Sequence, residues 1–174
     1  MNDIRYPIGK FQSKETITSE ERLLCISNIE ECPKRLREAI QGLSEAQLNT
    51  PYREGGWTVK QVIHHYADSH MNAYIRFKLT LTENEPLIKT YQENLWAELF
   101  DAKNTSAEIS LLLFESLHTR WVLLLKSLSA NDFAKTYRHP ESGIKNLDFL
   151  VQLYAWHSRH HVAHITSLRE RMAW

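Results

Sequence analysis

The chain has 174 residues, 43% hydrophobic and 24% charged, with 21 basic and 21 acidic side chains and a formal net charge of zero. That balance gives no electrostatic footprint for nucleic acid or an anionic membrane surface, and no apolar run approaches the roughly 18–20 residues of a membrane span. The length suits one domain, expected over 1–174, and the N-terminal Met1-Asn2-Asp3-Ile4-Arg5 lacks a hydrophobic signal region, so a cytoplasmic protein is expected.

Five glycines, five prolines and a near absence of alternating apolar patterns point to an all-α chain. Residues 1–17 read as an irregular arm, interrupted by Pro7 and Gly9, that Tyr6, Ile8 and Phe11 could pin to the body. A first helix starts after Thr18 or Ser19 and runs to Gly42, with Leu24, Ile29, Leu36 and Ile40 as apolar positions and Pro33 expected to kink or split it. Cys25 and Cys32 lie two turns apart in this helix, about 10 Å, too far for a disulfide within it, and read as buried thiols of a reducing compartment.

A connector with Pro51 and Gly55-Gly56 leads to a second helix, opened by Thr58 and Gln61 as a capping box and continuing to about Leu81. Its stripe is Val59, Ile63, Tyr66, His70, Tyr74 and Phe77, while His64 and His65 lie on opposite flanks, so periodicity does not choose between them. Residues 82–105 form a long connection containing a short helix through Leu95, Trp96 and Leu99, a length that suits a cover over a site or a partner surface. A third helix runs from about Ser106 to Leu128, with Thr105 and Glu108 as a capping box and a core stripe of Leu113, Leu117, Trp121, Leu124 and Leu128. His118 is expected to be structural; residues 131–145 read as turns, with His139 a loop residue. The last helix spans about Asn146 to Met172. Four helices of about 22–27 residues make a four-helix bundle, an architecture that builds metal sites in its core from facing helices.

Four of the nine histidines fall within His157–His164 of the last helix. At about 100° per residue, His157 and His161 lie near the centre of the stripe made by Leu150, Leu153, Tyr154, Ile165 and Leu168, with His164 beside them and His160 at its edge. Buried imidazoles need partners, and a metal ion satisfies several at once. Two i, i+4 pairs are available, His157/His161 and His160/His164, and centrality favours the first. Ser158 follows His157, so the general-base glutamate of the HExxH metalloproteases is missing. That absence leans toward thiolate chemistry, which needs no strong base.

Gly55-Gly56-Trp57-Thr58-Val59-Lys60-Gln61-Val62-Ile63-His64-His65-Tyr66-Ala67-Asp68-Ser69-His70, together with Trp156-His157-Ser158-Arg159-His160-His161, resembles the DinB-like superfamily and within it the YfiT group. Tyr6-Pro7-Ile8-Gly9 and Asn72-Ala73-Tyr74-Ile75-Arg76-Phe77-Lys78 are similar to that group too, so the match spans essentially the whole chain. The resemblance implies a four-helix bundle, often a homodimer, with one divalent metal, zinc or nickel, held by three histidines. Carried over residue by residue, the ligands fall on His65, immediately before Tyr66-Ala67-Asp68, and on His157 and His161. Where many relatives carry glutamine, this chain has His164.

The resemblance also implies a metal-dependent hydrolase acting on a small molecule. The alternative within the superfamily is an S-transferase that activates a low-molecular-weight thiol such as bacillithiol. A non-catalytic, metal-stabilised binding bundle is the third reading, with Trp96, Trp156 and Trp174 as candidate contacts for dimerisation. Asp68, His160 and His164 are candidates to support the ligand imidazoles, and Arg76 and Arg159 to hold a carboxylate. Trp57 and Tyr74 read as core residues.

Overall fold

Thr18, Thr58, Ser106 and Asn146 each open one long helix of the computed structural model, which describes residues 3–174. The long helices are α1 (Ser19–Ile40), α3 (Val59–Thr82), α6 (Ala107–Ser127) and α8 (Leu147–Met172). Short helices α2 (Glu45–Leu48), α4 (Glu93–Trp96), α5 (Phe100–Asn104) and α7 (Ala130–Phe133) lie in the connections. The fold is a four-helix bundle in which α1 packs on α8 and α6, and α3 on α6 and α8. No helix among the described residues is long and apolar enough to cross a membrane.

Helix directions follow from the contacts. Arg22 pairs with Asp148 at the start of both helices, and Arg169 donates to Ala39 O near their ends, so α1 and α8 run parallel. His64 bonds Ser110 and His70 bonds His118, so α3 and α6 also run parallel. Parallel neighbours cannot be joined by a tight turn, because the chain must travel the length of the bundle between them. That is why residues 83–106 form the long connection expected from the sequence. This connection is tied down by Gln61, whose side chain closes the α3 capping box and also donates to Ala97 O at 2.8 Å.

Several expectations need correction. Of the kink or split expected at Pro33, the split does not occur; Ile29, Cys32 and Leu36 are fully buried around it, and their packing outweighs the roughly 3 kcal/mol that an interior proline costs. Leu24 is 65% exposed, because the buried face runs through Ile26, Ile29, Cys32, Leu36 and Ala39. The cap of α6 is Ser106, accepting from Glu108 N, rather than Thr105. Its buried face is Leu111, Phe114, His118, Trp121 and Leu125, and Leu113 is 46% exposed. Leucines occur all round α6, so their abundance did not mark the inward face.

The region read as turns contains an antiparallel hairpin, β1 (Thr136–His139) with β2 (Gly143–Asn146). Four-residue strands are too short for alternation to register. His139 serves the hairpin turn, its Nδ1 accepting from the backbone N–H groups of Glu141 and Ser142. In the N-terminal arm Tyr6 and Phe11 pack inward while Ile8 stays exposed.

Candidate metal centre

Helices α3 and α8 bring three imidazoles together. One ligand-capable nitrogen from each of His65, His157 and His161 lies within 4.8 Å of the others. His65 Nε2 and His157 Nε2 are 3.2 Å apart. Ligands at about 2.0–2.1 Å from a tetrahedral ion stand about 3.3 Å from one another, so this edge fits a shared cation. The structure separates the two candidates of α3: His64 turns to α6, its Nδ1 2.7 Å from Ser110 Oγ, and His65 faces α8.

Burial keeps these rings neutral, the form that donates to a metal. It pushes His65 down to about 4. His157 and His161 lie well below the ordinary histidine range, first through burial and then through neighbouring imidazoles.

Tyr66 ties α3 to α8 beside this pair. Its hydroxyl donates to Ser158 O at 2.8 Å and accepts from Val162 N–H at 2.9 Å, on the residues that follow His157 and His161. Above the imidazoles, three segments outside the long helices form a cleft of about 460 Å³. Arg5 and Tyr6 come from the N-terminal arm, Tyr52, Arg53 and Trp57 from the connector before α3, and Glu93 and Asn94 from the long connection. The connector folds back on itself through Tyr52 N–H to Trp57 O. Gly55 has φ +63°, and a Cβ on Gly56 would stand 2.7 Å from Arg53 Cγ, so the Gly-Gly pair allows the bend that lays Trp57 against His65 at 4.6 Å. Trp57, read as core from the sequence, thus also lines the cleft.

The supporting candidates divide. His164 Nδ1 meets His161 Nδ1 at 3.2 Å, and its Nε2 bonds Arg5 O at 3.1 Å. His160 makes no hydrogen bond to these rings; it stacks on Trp156 at 4.2 Å, its buried Nδ1 has no partner among the described residues, and burial lowers it to about 3. Among the described residues the Asp68 carboxylate bonds none of the imidazoles, and burial, then Asp101, raises it to about 6. Arg76 donates to Lys89 O, Arg159 is exposed, and neither lines the cleft. A second histidine group, His160, His161 and His164, is also close enough to share an ion, but both ring nitrogens of His164 are engaged, one with His161 and one with Arg5 O.

Two features were not found in the sequence. Glu93 Oε2 lies 4.0 Å from His65 Nε2, brought by a connection whose path no local pattern reveals. His70 Nε2 is 3.0 Å from His157 Nδ1; the polar residue on the apolar stripe of α3 was its only signal.

The family model described as the DinB superfamily matches residues 28–165. A Bacillus cereus protein named "Putative metal-dependent hydrolase" is 57% identical over 174 residues, all of both chains, and a Bacillus anthracis protein of the same name is 56% identical over the same span. The solved structure of YfiT from Bacillus subtilis, described as a probable metal-dependent hydrolase with an unusual four-helix bundle topology, superposes with a TM-score of 0.95 at 48% identity, covering 98% of each chain. Another solved four-helix bundle protein, at 20% identity and TM-score 0.53 over 90% of this chain and 100% of its own, shares the fold alone. This chain belongs to the DinB superfamily.

Proposed function

We propose that the protein is a hydrolase of a small anionic molecule, working with one divalent ion, zinc or nickel, held by His65, His157 and His161. The observation that carries this reading is the convergence of three neutral imidazoles beneath an open cleft. Three nitrogen ligands with a free position are the pattern of a catalytic rather than a structural centre. When bound, such an ion polarises an electrophile and makes water acidic enough to react near neutral pH.

The chain's own residues supply the rest. Glu93 holds its carboxylate beside His65, and although the side chain is 60% exposed, partial desolvation by the cleft raises its pKa. A carboxylate so placed accepts a proton from attacking water at Oε2. Arg53 lines the cleft and forms no ion pair among the described residues; its Nη1 donates to Glu54 O, which leaves Nη2 for an anionic group of the substrate. Trp57 and Trp156 wall the cleft and limit water.

Glu93 supports hydrolysis over thiol transfer, because it supplies the base that the helix motif itself lacks. The test is to incubate zinc- or nickel-loaded protein with a panel of small carboxylate-bearing esters and amides, and separately with monochlorobimane with and without bacillithiol. Metal-dependent hydrolysis that disappears in His161→Ala is expected. Metal-dependent thiol conjugation with no hydrolysis across the panel would overturn the assignment.

A further inference from the structure

The buried interior holds two histidines that the proposed reaction does not use. His70 and His118 are both buried, away from the cleft, and they continue a line of hydrogen bonds from His157. His157 Nδ1 is 3.0 Å from His70 Nε2, His70 Nδ1 is 2.9 Å from His118 Nε2, and His118 Nδ1 is 2.8 Å from Ile29 O. A carbonyl can only accept, and a neutral imidazole has one donor and one acceptor. His118 therefore carries its proton on Nδ1 and accepts at Nε2. His70 must then donate from Nδ1 and accept at Nε2, which places the proton of His157 on Nδ1 and bares its Nε2, the atom that faces His65.

Pro33 explains the end of the line. In an α-helix the carbonyl of residue 29 takes the N–H of residue 33, and here residue 33 is a proline without one. Ile29 O is thus left without its helix partner and receives His118 instead.

Resting on the metal reading above, we infer that His70 and His118 are positioning residues that fix the tautomer of His157, with Ile29 O, vacated by Pro33, as the anchor that sets the direction of the chain. His161 is arranged the same way on the other side, through His164 to Arg5 O. Both α8 imidazoles thereby present Nε2 to the ion while a second histidine holds Nδ1. A partner on the far ring nitrogen fixes the orientation of a ligating histidine and raises its basicity, and its loss typically weakens metal binding about 10- to 100-fold.

Two measurements on the full chain test this. In protein with ¹⁵N-labelled histidines, two-bond ring ¹H–¹⁵N correlations should show His157, His70 and His118 all protonated at Nδ1, with and without zinc. A proton on His70 Nε2 would overturn the relay without disturbing the metal reading. Zinc affinity, measured by competition with a chromophoric chelator, should fall about 10- to 100-fold in His70→Leu and recover largely in His70→Gln, which can accept through Oε1 and donate through Nε2. Circular dichroism of the metal-free variants checks that both fold. A folded His70→Leu that binds zinc within about twofold of the unsubstituted protein overturns the relay. Failure of the unsubstituted protein to bind zinc at all overturns the metal reading itself.

Discussion

His65 and His157 are ninety-two residues apart in the chain, and their Nε2 atoms face one another at 3.2 Å between α3 and α8. At that distance the two nitrogens can share one proton or one cation. The pair is held from behind on one side by His70 and closed from the front by Trp57.

Replacement of any of the three converging histidines should remove the ion. His65→Ala, His157→Ala and His161→Ala are each expected to lose most bound zinc or nickel, while His139→Ala, in the hairpin, retains it. Metal analysis of the purified variants reads this directly, and full stoichiometry in any of the first three removes that residue from the set.

Tyr66→Phe should separate stability from metal binding. The two backbone groups bridged by the hydroxyl can pair with each other once it is gone, so unfolding in urea should shift by only about 1 kcal/mol. The anchor lost is the one that ties α3 to the turn carrying His157 and His161, so chelator competition should show weaker zinc binding. Unchanged affinity would mean that the hydroxyl does not position the pair.

Acid should destabilise the metal-free protein in a definite window. An unfolded histidine takes up a proton near 6.5, whereas His65 and His118 resist protonation in the fold down to about 4. Between those values the unfolded state binds more protons, so each of the two costs about 1.4 kcal/mol of stability per pH unit as the pH falls. Above 6.5 that stability is fully present. His70, His157 and His161, lowered further by burial, act in the same direction. Urea unfolding across this range should steepen accordingly; a flat profile would mean that these rings are solvated.

Glu93→Gln should slow hydrolysis by about 10²- to 10⁴-fold, the usual contribution of a general base, with metal content unchanged. If the variant instead loses its metal, Glu93 is a ligand and not a base.

Much of the fold could be read locally. The capping box of Thr58 and Gln61 and the 3.6-residue periodicity of α3 and α8 are properties of neighbouring residues, and the helices follow from them. The hairpin could not be read, because four-residue strands leave no pattern, and neither could the inward face of α6, where leucines point in every direction. Centrality on α8 favoured His157 and His161, and the structure faces both toward His65. The same reasoning could not order His64 and His65, since flank positions are equivalent until a neighbour is chosen.

By itself, the sequence determined that the chain is helical, where its long helices begin and that histidines fill an apolar face. Only the tertiary structure decided which of them meet, because parallel pairing of α3 with α6 sends His64 to Ser110 and leaves His65 for α8. It also decided what Pro33 does: a residue that reads as a helix breaker instead frees one carbonyl, and His118, eighty-nine residues away, fills it. Hydrogen bonds of this kind join distant segments at distances of about 3 Å, and spacing along a single helix carries no record of them.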